Sequence, residues 1–281
     1  MPTTKKKELL VRKLENIEFD IIIDCFLKSF ANYFVDIPTD KNYYKERWKM
    51  AKVNYGLSYG MFDGEELVGF IINAIDEREG IKIAYNTGTG VLPEYRGKRI
   101  VKSIYDYAIP DLKKNGVLKC SLEVIIENTK AVKIYKSIGF GICKTFNCFS
   151  GIIKPNHNEK VAIRSVSYNE FDWNDLPNQD LYSWDFHSRV IKNGDYRYYQ
   201  IYKENLVESY FVINPKNGYL AQFEVLIESQ GCWNRLFSGI REISNAIKII
   251  NVDNRLNKKI AYINSIGFLN TVNQYEMEMS L

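Results

Sequence analysis

The amino-acid sequence predicts a mixed α/β fold: two domains, each a central mixed sheet flanked by helices, the second a degenerate copy of the first. Three observations carry this reading. The chain has 281 residues, about twice the usual domain of roughly 150. Strand-like and helix-like apolar periods alternate along it. Two phrases of the first half also return, in order, in the second: Tyr59 to Val68 is echoed by Tyr199 to Val207, and Ile134 to Phe140 by Tyr262 to Phe268. Leu67 to Gly139 spans 72 residues and Leu206 to Gly267 spans 61, so the second copy has a shorter middle. The expected domains are residues 1–154 and 160–281, joined by the polar stretch Lys154-Pro-Asn-His-Asn-Glu-Lys160. A chain stopped near residue 155 is then expected to leave a poorly soluble fragment, because apolar surface buried between the domains would be exposed.

Leu9 to Lys13 reads as the first strand, and Phe19 to Phe34 as a helix with Ile22, Phe26, Phe30 and Phe34 on one stripe. Tyr59 to Phe62 and Leu67 to Ala74 are β-rich runs joined by Asp63-Gly64-Glu65-Glu66, a hairpin signal. Ile81 to Val91 is a further strand. Ile100 to Asn115 carries a helical stripe at 100, 104, 108 and 112, in which Pro110 is expected to kink the helix or interrupt its hydrogen bonding. Val117 to Val124 is a strand, Lys130 to Ser137 a helix ending at Gly139, and Phe146 to Ile153 the strand closing the first domain. In the second half Phe211, Val212, Phe223, Val225, Ile247, Ile249 and Ile250 fall at strand-like positions.

Hydrophobic residues make up 46% and charged residues 26%, a globular composition that excludes wholesale disorder. The net charge of +4 is too small to predict a nucleic-acid or membrane partner. Residues 1–150 carry +5 and the remainder −1, so an anionic ligand suits the first half better. The lysine-rich start, Met1 to Lys7, is followed by no apolar run of signal or membrane-span length, and a cytoplasmic protein is expected. Cys25, Cys120, Cys143, Cys148 and Cys232 form no CxxC pair, and His157 and His187 lie thirty residues apart. Neither a metal site nor a disulfide framework is expected. A monomer and a homodimer are equally compatible with the sequence.

The chemistry concentrates where the second copy is shortened. Tyr85-Asn-Thr-Gly-Thr-Gly-Val91 passes a strand through Gly88 and Gly90, which points to a bulge or a close approach by backbone or ligand. Leu92-Pro-Glu-Tyr-Arg96-Gly97-Lys98-Arg99 then turns into a helix start. That arrangement gathers unpaired amides, a helix dipole and cationic side chains, which suits a phosphate as well as it suits a solvated basic turn. Glu123 falls at a strand end, where an exposed or paired carboxylate is ordinary. Tyr135 lies on a helix whose apolar face is already supplied by Ala131, Ile134 and Ile138. Tyr33, Tyr43, Tyr44, Trp48 and Tyr55 form an aromatic-rich segment that could wall a pocket or fill a core.

Two of these segments together resemble the signatures of the GCN5-related N-acetyltransferase (GNAT) superfamily. Val91-Leu-Pro-Glu-Tyr-Arg96-Gly97 resembles its Val-x-Pro-x-x-Arg-Gly loop, and Asn128-Thr-Lys-Ala131-Val-Lys-Ile134-Tyr135-Lys-Ser-Ile-Gly139-Phe140 its second motif. The match covers about residues 85 to 140. The resemblance implies direct acetyl transfer from acetyl-CoA to an unknown amine acceptor in a ternary complex, without a metal. It implies acetyl and pantetheine contacts at Thr89, Gly90 and Val91, and pyrophosphate contacts over Arg96, Gly97, Lys98, Arg99, Ile100, Val101 and Lys102, mostly through main-chain amides. It further implies that Asn128 contacts CoA, that Tyr135 protonates the departing thiolate, and that Glu123 is the general base. The chain departs from the family pattern where Arg99 and Val101 replace two small residues of the loop. The alternative function is a non-catalytic CoA-binding or sensing module. In the second copy Gly231-Cys-Trp-Asn-Arg235 stands where the loop should be and Leu256 falls in register with Asn128, so no CoA is expected there.

Overall fold

The computed structural model describes residues 9–154 and 161–281. Residues 155–160, most of the expected linker and His157 with it, lie outside the described residues. By internal contacts the chain forms two compact units, one of residues 1–143 with 276–281 and the other of residues 144–275.

The first unit is built from β1 (Leu9–Lys13), α1 (Phe19–Ser29), α2 (Lys41–Met50), β2 (Tyr59–Asp63), β3 (Glu66–Arg78), β4 (Ile81–Val91), α3 (Ile100–Lys114), β5 (Lys119–Ile125), α4 (Thr129–Ile138) and the start of β6 (Gly141–Ile152). β1 to β4 form an antiparallel meander, and β5 pairs parallel with β4 after the α3 crossover. Consecutive residues of β3 show the two faces of the sheet. Phe70 points to α1, its ring 5.8 Å from that of Phe26, which in turn packs on Tyr44 and Trp48 of α2. Gly69 points to α3, where a Cβ would meet Ile100 at 2.7 Å. Helices thus cover both faces, and α3 buries the expected stripe of Ile100, Ile104, Ala108 and Leu112.

Three readings of this half need correction. The first helix ends at Ser29 rather than Phe34, because Phe34 is 55% exposed and no longer on a buried stripe. α2 is an additional helix, capped by Asp40, whose side chain accepts from the Asn42 amide at 2.9 Å. α3 runs unbroken through Pro110; Asp106, whose carbonyl loses its partner, and the proline itself are both exposed, so water can replace the missing N–H.

The second unit contains β7 (Ala162–Val166), the short α5 (Ser188–Ile191), β8 (Arg197–Lys203), β9 (Leu206–Asn214), β10 (Tyr219–Val225), α6 (Cys232–Ile243), β11 (Ala246–Asp253), α7 (Asn257–Ser265) and most of β12 (Leu269–Ser280). β7 to β10 are again an antiparallel meander, and β11 is again parallel to β10 across a helix. The strand order and sense repeat those of the first unit, as the echoed phrases predict. One sheet face packs on α6 through Ile201, Phe211, Phe223, Leu236, Phe237 and Ile240, and the other on the 168–191 segment through Tyr182, Phe186, Tyr198, Tyr210 and Val212.

The closing strands are exchanged. β6 pairs antiparallel with β11 of the second unit, from Phe146/Asp253 to Ile152/Ala246. The place beside β5 in the first unit is taken by the end of β12, where the Leu281 amide donates to the Leu118 carbonyl at 2.9 Å. The compact units therefore divide at 143/144 and 275/276 rather than at the polar stretch near 154–160. A chain stopped near residue 155 would lack the strand that flanks β5, so the expected fragment is not a complete unit. Among the described residues no helix is long and apolar enough to cross a membrane.

Candidate functional site

β4 and β5 pair only from Ile83/Lys119 to Asn86/Leu122. Both strands continue, to Val91 and Ile125, without further pairing to each other. The cause lies in β4, whose register against β3 jumps between Ile72/Gly88 and Asn73/Asn86 and leaves Thr87 as an extra residue. Such a bulge bends a strand and increases its twist. The cleft that opens beyond Asn86 is the centre of the site. Gly88 and Gly90 are explained by packing from within the unit. A Cβ on Gly88 would lie 3.1 Å from the Phe26 ring, and one on Gly90 would lie 2.5 Å from the Phe70 ring and 2.8 Å from Ser29.

A chain of polar groups crosses this part of the unit. Asn86 donates one amide hydrogen bond to the Thr89 hydroxyl and another, at 2.7 Å, to the Tyr105 hydroxyl, while its carbonyl oxygen accepts from the Gly88 amide at 3.0 Å. The side chain of Thr89 in turn hydrogen-bonds the Tyr135 hydroxyl. Tyr135 is 8% exposed, and its ring meets Phe140 edge-on at 5.8 Å. Burial pushes its phenol up to about 12, against the lowering effect of the Thr89 hydrogen bond. The buried face of α4 is Val132 and Tyr135, whereas Ile134 is 41% exposed, so the expected Ala131, Ile134, Ile138 face gives way to one that turns Tyr135 inward. Asn128 caps α4, accepting from the Ala131 amide at 3.2 Å, and its side chain also hydrogen-bonds Tyr33.

At the mouth of the cleft the chain enters α3 through two left-handed residues, Gly97 (φ 79°) and Arg99 (φ 57°). Nothing lies within 4 Å of a Cβ on Gly97, and no side chain caps the first turn of α3. The amides at Ile100, Val101 and Lys102 are therefore those of an open helix start. Arg99 occupies a conformation that costs a residue with a Cβ about 1–2 kcal/mol. Arg96 holds the loop through its own main-chain contacts. Its amide donates to Pro93, and its guanidinium to the main-chain oxygens of Ser29 at 2.9 Å and Val91 at 3.3 Å, tying α1 to the end of β4. Lys98 lies over the Tyr95 ring at 4.4 Å, and Lys102 pairs with Asp106 at 2.8 Å.

Glu123 stands on β5 just past the last residue paired with β4, half-buried. The aromatic segment divides between the two readings open to it: Tyr44 and Trp48 are core residues at 2% and 1% exposure, whereas Tyr33 reaches the site through Asn128. Thr89, Gly90, Val91, Asn128 and Tyr135 thus gather around one cleft. Asn86 and Tyr105 are members that motif matching misses; a polar Asn directly after the apolar run Ile83-Ala84-Tyr85 was the available signal.

The second unit keeps the frame and loses these groups. The shift in β10 leaves Ala221 as the extra residue, which aligns Leu220 with Asn86, Gln222 with Gly88, Phe223 with Thr89 and Glu224 with Gly90. On α7 the N-cap Leu256 stands for Asn128, Lys259 for Ala131 and Ile263 for Tyr135. Lys259 Nζ lies 2.6 Å from Glu224 Oε1, and the Tyr182 hydroxyl donates to the same oxygen at 2.8 Å. Burial pulls the Lys259 ammonium below its ordinary value while Glu224 works in the opposite sense. Arg235, expected in a loop, lies inside α6 and grips Glu208 through two nitrogens at 2.7 and 2.6 Å.

Comparison with known proteins agrees with this geometry. Residues 20–140 match the model of the acetyltransferase (GNAT) family. An uncharacterised N-acetyltransferase of Methanocaldococcus jannaschii is 27% identical in an alignment 145 residues long that covers 48% of this chain and 61% of that protein. A tandem GNAT protein from the clavulanic acid biosynthesis pathway superposes with a TM-score of 0.68 at 12% identity, covering 97% of this chain and 98% of the other. A GCN5-related N-acetyltransferase from Sphaerobacter thermophilus does so with 0.68 at 7% identity, covering 97% and 95%. The first unit thus matches the GNAT family model over residues 20–140, and two units of one strand order give the whole chain the fold of tandem GNAT proteins.

Proposed function

We propose that the first unit transfers an acetyl group from acetyl-CoA to an amine, and that the second unit binds no CoA. The observation that supports this most is the polar chain Tyr105–Asn86–Thr89–Tyr135, which ends on a buried phenol where β4 and β5 part. The fit to CoA rests on the open backbone of β4 over Thr89, Gly90 and Val91, the uncapped start of α3 at Ile100 to Lys102, and the unobstructed Gly97. When bound, acetyl-CoA supplies an activated thioester carbonyl. The Arg96 side chain then serves as a clamp for the loop and leaves anion binding to the helix amides and Arg99.

Glu123 accepts the proton of the acceptor ammonium, directly or through water. Tyr135, with its phenol near 12, remains protonated at neutral pH and donates a hydrogen bond to the sulfur as negative charge develops there. A thiol of ordinary pKa, about 8.5, is the stronger acid, so Tyr135 acts in concert with thiolate departure rather than by a separate proton transfer.

Release of free CoA thiol with a panel of amines tests the transfer. Turnover is expected, and Glu123→Gln should slow lysine-like amines (pKa about 10.4) by roughly 10²-fold and α-amines (pKa about 7.7–8.0) less, because the latter need less deprotonation. Binding of acetyl-CoA without turnover of any amine would instead favour a CoA-binding module. Arg99→Gly should weaken CoA binding roughly fivefold at low salt and less at high salt, where screening already reduces the charge contact. Calorimetry at two ionic strengths reads the sign, and tighter binding by the glycine variant would make Arg99 an obstruction.

A further inference from the structure

The two units can be compared position by position along the polar chain that ends on Tyr135. In the second unit the counterparts of Asn86, Thr89 and Tyr135 are Leu220, Phe223 and Ile263. That of Tyr105 follows from the helix starts. Both α3 and α6 begin after a left-handed N-cap, Arg99 and Gly231, which places Phe237 at the position of Tyr105. The ring contacts agree, since Tyr105 meets Phe140 edge-on at 5.5 Å and Phe237 meets Phe268 edge-on at 6.2 Å. All four counterparts are apolar and buried. The frame therefore packs without the chain, and four polar groups that are lost together answer to something other than the fold.

The chain also has a direction. A backbone N–H can be met only by an acceptor, so the Gly88 amide, 3.0 Å from Asn86 Oδ1, fixes which end of the Asn86 amide is oxygen. Both hydrogens of its nitrogen are then spent, one on the Tyr105 hydroxyl at 2.7 Å and one on the Thr89 hydroxyl. Thr89 Oγ1 accepts from Asn86 and sends its own hydrogen to the Tyr135 oxygen. A donated hydrogen bond favours the phenolate, and the Thr89 contact does act to lower the Tyr135 phenol. The Tyr135 oxygen thus accepts within the chain, and among the described residues no group takes its own hydrogen. That hydrogen is left for the cleft.

We infer that Asn86 is a positioning residue for the transfer: by donating in two directions it orders the hydroxyls of Thr89 and Tyr135 so that the phenol presents its hydrogen, not a lone pair, to the leaving sulfur. This rests on the transfer reading above. Asn86 acts through Tyr135 rather than on the reacting atoms. Asn86→Asp keeps the shape and reverses the order. One carboxylate oxygen still accepts from Gly88, the other takes the hydrogens of Tyr105 and Thr89, and the Tyr135 hydrogen is drawn back to Thr89 Oγ1.

The test is single-turnover kinetics on the full chain at saturating acetyl-CoA, with Asn86→Asp and Asn86→Leu each made alone and together with Tyr135→Phe. The acceptor is the fastest amine of a panel that includes butylamine, which is lysine-like, and glycinamide, an α-amine. Asn86→Asp should slow transfer about tenfold, the size of one hydrogen bond, and leave acetyl-CoA affinity within about twofold. In the Tyr135→Phe background the same change should cost less than about twofold, because the group it acts through is gone. Asn86→Leu brings in the residue type that the second unit packs here and adds no charge, and it should show the same split with about a fivefold loss. If the carboxylate of Asn86→Asp unfolds the chain, Asn86→Leu decides. No loss, or a loss of equal size in both backgrounds, overturns the inference. If the unaltered protein turns over no amine, the transfer reading falls, and fluorine NMR of a difluorotyrosine placed at position 135 reads the chain by itself. Its ionisation should move up by about half a pH unit or more in Asn86→Leu. That shift retains the ordering role of Asn86 without the transfer, and its absence discards both.

Discussion

Tyr135→Phe is expected to turn over roughly 10²-fold more slowly than the unaltered protein, with acetyl-CoA affinity unchanged. The substitution removes one oxygen from a ring whose packing on Phe140 survives, and Thr89 keeps its hydrogen bond from Asn86. A 10²-fold loss corresponds to about 2.7 kcal/mol of transition-state stabilisation, the scale expected of a donor that acts only as charge appears on the leaving sulfur. Single-turnover kinetics, in which chemistry is measured apart from product release, gives the decisive comparison. An unchanged rate in that experiment removes Tyr135 from the mechanism.

Lys259→Ala is expected to destabilise the protein by about 3–5 kcal/mol, the cost of leaving one member of a buried ion pair without its partner. Lys259 is 3% exposed and Glu224 4%, and Tyr182 already donates to the same carboxylate oxygen. In thermal unfolding the second unit should melt roughly 10 °C lower. Lys259→Met combined with Glu224→Gln should recover most of the loss, since neither variant residue then brings a charge into the core. A single Lys259→Ala variant as stable as the unaltered chain would mean that water reaches Glu224. The pair sits at the counterparts of Ala131 and Gly90, so the second unit fills with an ion pair the place that the first unit leaves to small residues.

The fold was legible where one period dominates. β1 and β4 coincide with their predicted bounds, and the echo of Ile134 to Phe140 in Tyr262 to Phe268 predicts a second unit of the same strand order. α2 was not legible because Lys41 to Met50 offers only Tyr44 and Trp48 as buried positions, two residues that read equally well as a pocket wall. The motifs locate Thr89, Asn128 and Tyr135 about one cleft, yet they cannot report that Arg96 spends its side chain on Ser29 and Val91. Strand exchange was also invisible to pattern reading. Phe146 to Ile153 alternates in the same way whichever neighbour it pairs with, and only tertiary contacts decide between β5 and β11.

The exchanged strands impose an order on synthesis. Residues up to 143 make up most of the first unit, but the place beside β5 is filled only when residues 276–281 have been made. At ribosomal rates of about 5–20 residues per second, the edge of β5 waits roughly 7–28 s for its neighbour. During that interval an unpaired strand edge is open to other nascent chains, and β6 emerges first with its own partner still unmade. Any translational pause within the second unit therefore lengthens the exposure of the first, so that a silent codon change near residue 250 can lower the yield of the first unit without altering a single residue of it.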